Sequence, residues 1–247
     1  MRYFIQLSYD GTNYHGWQIQ DNALSVQGET EKALAIVTRE MVELVGAGRT
    51  DTGVHASFYI AHFDSNLENL SDGNLVFKLN CLLPSDIAVQ KIFPVRPDAH
   101  ARFDATYREY QYHLSRDKDP FSFRFAEKEN RPLNLEKMNE AAKILFEYRD
   151  FTSFSKLGSD VKTNNCLIYK AFWEELGSQL VFTIRADRFL RNMVRAIVGT
   201  LIDVGLGKLS LDDFRMVIEK KDRGSAGTSV AAKGLFLVDI GYPDNLR

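Results

Sequence analysis

A chain of 247 residues with 45% hydrophobic, 12% aromatic and 26% charged side chains has the composition of a folded globular protein, not of a disordered or fibrous one. Its 31 Lys and Arg against 33 Asp and Glu give a formal net charge of -2, which excludes a protein that coats nucleic acid by bulk charge but leaves room for a local basic groove. Two cysteines, Cys81 and Cys166, cannot by themselves build a disulfide framework or a four-ligand zinc site, so a reducing, cytoplasmic setting is expected. The longest stretch without Asp, Glu, Lys or Arg, Thr52 to Phe63, is shorter than the ~20 apolar residues that span a bilayer, so no membrane segment is expected. The start, Met1 to Asp10, alternates like a strand, lacks the cleavage site of a signal peptide and is expected to be part of the fold.

In chain order, Tyr3 to Tyr9 reads as a strand, Asp10-Gly11-Thr12-Asn13 as a turn, and Ser25 as the N-cap of a helix running to about Arg39. Met41 to Val45 and Ser57 to Phe63 read as strands around the glycine-rich loop Gly46 to Gly53. Ser71 caps a second predicted helix through about Leu82; Pro84 stops it, and Ile87 to Val95 returns as a strand. Past Pro97 the same order begins again with a strand from Thr106 to Ser115, on which Tyr110, Tyr112 and Leu114 share one face. A helix from about Leu135 to Tyr148 follows, then strands near Cys166 to Glu175 and Gln179 to Ala186 around a Gly177-Ser178 turn. Helices from about Phe189 to Val204 and Leu211 to Lys220 and a last strand, Leu235 to Tyr242, complete the series. The order predicts an α+β fold of two tandem split β-α-β units, residues 1–97 and 98–247, forming a largely antiparallel sheet with a central cleft.

Asp51 is the acidic residue bracketed by Gly46, Gly48 and Gly53, where the backbone is free to approach a ligand closely. The plain alternative is turn chemistry, since Asp-Thr-Gly is a common turn. The pattern G-x-G-x-x-G is broken by Asp51 itself and no G-K-[ST] follows, so a nucleotide cofactor is not expected. Asp51-Thr52-Gly53 also has the form of an aspartic-protease loop, but one copy would need a dimer to supply the second carboxylate.

Arg195 sits inside the apolar run of the helix from Phe189, and a guanidinium there is costly unless paired, which makes it able to orient a catalytic carboxylate. Alternatively it pairs with another acid, or Arg188, Arg191 and Arg195 form an exposed stripe at spacings of three and four. Arg185 belongs to the same cluster, which has only Asp187 among its cations. Tyr110 and Tyr112, flanked by Arg102, Arg108 and Arg116, suit stacking on unpaired bases, or are simply core. The five histidines show no metal-ligand spacing, so no metal is expected.

With these residues in view, the chain resembles the TruA family of tRNA pseudouridine synthases over essentially its whole length. The likeness rests on the run Tyr9 to Gln18, on Gly48-Arg49-Thr50-Asp51-Thr52-Gly53-Val54-His55-Ala56, and on His100-Ala101-Arg102-Phe103 leading to Tyr110-Gln111-Tyr112. Asp150 to Phe154, Phe189 to Arg195 and Gly234 to Leu237 extend it. The resemblance implies isomerisation of uridine to pseudouridine at positions 38 to 40 of the tRNA anticodon stem-loop, after base flipping, without metal or cofactor. It implies that Asp51 is the catalytic aspartate, as nucleophile at ribose C1′ or base at C2′. Tyr110 would stack on the target base, Arg195 would pair with the aspartate, and Arg49 would help displace the nucleotide. It also implies a homodimer with tRNA across both subunits. Thr52 stands where that family usually has Ala, Ser229-Val230-Ala231 where a Thr-Ala-Pro type segment is common, and Thr163-Asn164-Asn165-Cys166 in an often basic stretch.

Overall fold

A computed structural model describes residues 1–71, 73–156, 158 and 162–246. Contacts divide the chain into two compact units, Met1–Tyr107 with Phe236–Arg247, and Arg108–Leu235. The boundary read from the sequence at 97/98 divides the chain by the order of its elements, whereas these units divide it by packing. Both units are mixed α+β with mostly antiparallel strands.

In the first unit, β1 (Arg2–Tyr9) pairs antiparallel with β3 (His55–Asp64) on one side and β4 (Ile87–Val95) on the other. A short β2 (Val45–Gly46) adds to β3, and β9 (Leu235–Gly241) lies parallel to β3 with His55 opposite Phe236. The register gives the sheet two distinct faces. Tyr3, Ile5, Leu7 and Tyr9 share one face with Tyr59, Ala61 and Phe63, all buried, while Phe4 and Gln6 share the other with His62 and Ile60.

Helix α1 (Val26–Thr38) begins where its sequence dictates, with the Ser25 Oγ accepting from the Gly28 N–H at 3.2 Å and Val26, Ala33 and Leu34 buried. Helix α2 (Gly73–Leu82) is tied to β4 by the Asn80 amide, which donates to the Val89 carbonyl and accepts from the Val89 N–H, both at 2.8 Å. Residue 72, between Ser71 and this helix, lies outside the described residues.

In the second unit the strand order is β5 (Tyr107–Ser115), β8 (Gln179–Ala186), β7 (Ile168–Leu176), all antiparallel, with β6 (Glu127–Lys128) parallel to β5. The β7–β8 hairpin turns at Gly177, φ 62°, the backbone geometry the turn demands. Helix α3 (Leu135–Ile144) packs on β7 and on α4 (Met193–Gly205), and α5 (Leu211–Glu219) starts from a capping box made by Ser210 and Asp213.

Three elements differ from the sequence reading, each for a local reason. The extended segment 41–44 does not join the sheet as a strand. Instead the Leu44 N–H donates to Glu31 Oε1 at 2.8 Å and the Leu44 carbonyl accepts from Gln27 Nε2 at 3.0 Å, so side chains of α1 take the bonds a ladder would have used. Helix α4 starts at Met193, not near Phe189, because Asn192 has φ 67° and breaks the right-handed spiral. The helix expected to reach Tyr148 ends as α-helix at Ile144, with its last turn tightened to 3-10 over Leu145–Glu147.

Candidate active site

The loop between β2 and β3 carries Asp51, and the first unit fixes it from several directions. The Tyr59 hydroxyl donates to the Gly48 carbonyl, Thr50 Oγ1 and the Tyr9 hydroxyl share a buried hydrogen bond of 2.9 Å, and the Gly53 N–H donates to the Tyr14 carbonyl at 3.2 Å. A turn closes from the Val54 N–H to the Asp51 carbonyl at 3.1 Å, with Gly53 at φ 76°. Tyr9, Trp17 and Tyr59 form an aromatic cluster beneath it, the Trp17 and Tyr59 rings stacked at 4.2 Å.

The run from Tyr9 to Gln18 acquires a physical meaning here. A Cβ at Gly11 would collide with the Val54 carbonyl, and one at Gly16, φ 93°, with the Thr50 carbonyl. These two positions admit only glycine because the backbone of the Asp51 loop rests on them. Tyr14, which contributes its carbonyl to the loop, is itself locked: its hydroxyl donates to Asp86 Oδ1 at 2.6 Å, and burial followed by that carboxylate raises its pKa. Asp51 is half-buried and Arg49 exposed on this loop. The supporting residues Tyr9, Thr50, Trp17 and Tyr59 were not singled out from the sequence as a set. Tyr9, Trp17 and Thr50 stood there only within the motifs that carry the resemblance, and Tyr59 only within a predicted strand.

The second unit carries Tyr110 and Arg195. Tyr110, on β5 opposite Ile184, is half-buried with its ring edge-on to Phe189 at 5.2 Å. Tyr112, on the same face by alternation, is core: it is fully buried, its hydroxyl donates to the Ala231 carbonyl at 2.9 Å, and burial drives its pKa up. Arg195 is half-buried on α4, where its Nε donates to the Val230 carbonyl at 2.7 Å and its own carbonyl accepts from the Val230 N–H at 3.2 Å. Segment 227–230 is thus fastened along α4, further held by Asn192 Nδ2 donating to Ser229 Oγ at 2.6 Å and by the Gly227 N–H donating to Thr200 Oγ1 at 3.0 Å.

The stripe of Arg188, Arg191 and Arg195 at helical spacing does not form, because only Arg195 lies on the helix. Arg185 is on β8, with its Nε donating to the buried Glu109 at 2.7 Å, and Arg188 donates to the Thr163 carbonyl at 3.2 Å. Among the described residues no group of three His, Cys, Asp or Glu is placed to hold a metal ion, and no helix is long and apolar enough to cross a membrane.

A family model described as tRNA pseudouridine synthase matches residues 6–104 and 141–243. The chain is 61% identical over 248 residues to the tRNA pseudouridine synthase A of Parabacteroides distasonis, covering 99% of this chain and 97% of that relative. It is 57% identical to the tRNA pseudouridine synthase A of Bacteroides fragilis over 99% of this chain and 98% of the relative. To the protein of that name in Bacillus subtilis it is 40% identical over 99% and 100%.

Proposed function

Since the chain belongs to the tRNA pseudouridine synthase family and isomerises uridine in tRNA to pseudouridine, we propose that Asp51 is its reacting carboxylate and that its targets are uridines 38 to 40 of the anticodon stem-loop. The observation that carries this reading is the anchoring of the loop on both sides of Asp51, at Gly48 and Thr50 before it and Gly53 after it. A carboxylate that must meet a ribose carbon at near-contact distance gains from a backbone set in advance, since misplacement by an ångström costs roughly 100-fold in rate.

The reaction breaks the N1–C1′ bond, forms C5–C1′, returns a proton to N1 and releases the C5 proton, so no atoms or electrons are exchanged with a second substrate. Asp51 attacks C1′ or removes a proton at C2′. The target base leaves the helical stack first, which costs a few kcal/mol recovered from phosphate and stacking contacts. Arg49, exposed beside Asp51, suits a phosphate; Tyr110 suits stacking on the base; Arg195, held on α4, is the third substrate-binding group.

We place the enzyme in the cytoplasm with its tRNA, acting as a homodimer. Phe121 and Phe123, 89% and 62% exposed on one loop of the second unit, support a protein contact there. The protease reading falls with the family assignment.

The test is tritium release from tRNA labelled at uridine C5, with wild type and Asp51→Asn side by side. Release by wild type and none by Asp51→Asn, with tRNA binding retained, supports the assignment. Turnover by Asp51→Asn overturns it.

A further inference from the structure

The first unit contains a second built feature that the Asp51 loop does not use. Phe103 is 75% exposed, yet the loop that carries it, residues 99–104, is hydrogen-bonded at nearly every residue. Arg2 Nη1 donates to the Ala99 carbonyl at 3.0 Å, and the Tyr242 hydroxyl donates to the Ala101 carbonyl at 2.5 Å. The Ala101 N–H donates to His62 Nδ1 at 3.1 Å, and His100 Nδ1 accepts from the Arg102 and Phe103 N–H groups at 3.1 and 3.3 Å. The His100 N–H and the Asp104 carboxylate close the loop at 2.8 Å.

Beneath Phe103 runs a ladder of rings. His62 meets His100 at 4.6 Å and His100 meets Phe103 at 4.3 Å, while the Arg102 guanidinium lies 5.7 Å from the Phe103 centroid. An apolar ring held rigidly in water beside a planar cation matches the two needs of an unpaired nucleotide, a face for the base and a charge for its phosphate. Because the loop is already ordered, stacking on it forfeits little conformational entropy.

We infer that Phe103 and Arg102 form a docking platform for an unpaired base of the tRNA substrate other than the uridine being isomerised. Position along β1 supports the last clause. Arg2, which binds the platform loop, and Tyr9, which binds the Asp51 loop, lie at opposite ends of the strand, a span of about 23 Å at ~3.3 Å per residue. The inference rests on tRNA being the substrate and not on which uridine is modified.

Steady-state isomerisation of a full-length tRNA transcript by Phe103→Ala, Phe103→Tyr and Arg102→Gln tests it. The expected result is a KM raised roughly tenfold by Phe103→Ala with kcat within about twofold of wild type, the size of one lost base-aromatic stack. Phe103→Tyr is expected to restore KM, and Arg102→Gln to flatten its salt dependence. An unchanged KM in Phe103→Ala overturns the inference. So does a changed sedimentation coefficient of Phe103→Ala without tRNA, which would make the platform a protein contact. Turnover by Asp51→Asn, which overturns the catalytic assignment, leaves both readouts intact, so failure of that assignment is distinguishable from failure of the platform.

Discussion

Two alanine substitutions in the Asp51 loop assembly are expected to have opposite signs. At Gly16 the backbone sits at φ 93° and an added Cβ would run into the Thr50 carbonyl, the residue before Asp51. Holding alanine at that φ costs about 1 to 2 kcal/mol, and relieving the overlap by backbone movement about 1 to 3 more. The expected loss for Gly16→Ala is therefore about 2 to 5 kcal/mol, a fall in Tm of roughly 5 to 15 °C for a chain of this size. At Gly48, three residues before Asp51, φ is not positive and an added Cβ meets nothing within 4 Å. Gly48→Ala is expected to hold or raise stability by about 0.4 to 1 kcal/mol, since alanine restricts the unfolded chain. Thermal and urea unfolding followed by circular dichroism measure both. Single-turnover tritium release then reads the loop directly: the carbonyl that must move in Gly16→Ala adjoins the reacting residue, so its rate is expected to fall by roughly 10- to 100-fold even well below its Tm. Wild-type stability and rate in Gly16→Ala would refute the idea that this glycine sets the position of Asp51.

Acid should loosen the platform loop before the rest of the first unit. Burial first, then the Arg2 charge, lowers the His62 pKa to about 4, so stability from its neutral form is complete above the unfolded value near 6.5 and is lost as pH falls toward 4, by at most about 3 kcal/mol. Unfolding measured from pH 7 to 4 should show this slope in wild type and lose it in His62→Gln; parallel slopes count against it. The two thiols should differ sharply: Cys81 is exposed, while burial pushes the Cys166 pKa up to about 12, so an alkylating reagent at pH 8 should label Cys81 alone until the protein is unfolded. Rapid labelling of both would contradict that burial. In α4, Gly199→Ala should destabilise by about 1 to 3 kcal/mol despite the better helix propensity of alanine, because its Cβ would collide with the Thr228 carbonyl. A stabilised variant would show that segment 227–230 is not fastened to the helix.

Local signals were sufficient wherever one short segment decides its own conformation. Ser25 placed the start of α1 and the Gly177 turn the β7–β8 hairpin, because a cap or a turn is settled by atoms within a few residues. The glycines around Asp51 marked a loop able to approach a ligand, and the order of motifs marked the family, both from residue identity alone. What the chain could not disclose was pairing across long separations. Segment 41–44 has the apolar composition of a strand, yet its backbone bonds go to Gln27 and Glu31 of α1; composition reports burial, not the identity of the partner. The apolar pattern before Met193 ran on through Phe189, and only the left-handed backbone at Asn192, held by Ser229 from 37 residues away, ended it. The same reason explains why Gly11 looked like an ordinary turn residue and Gly16 stood only as part of a motif. Their necessity comes from carbonyls of Val54 and Thr50 that only the folded chain brings against them, since close packing, unlike a cap, is a property of two surfaces that the sequence holds apart.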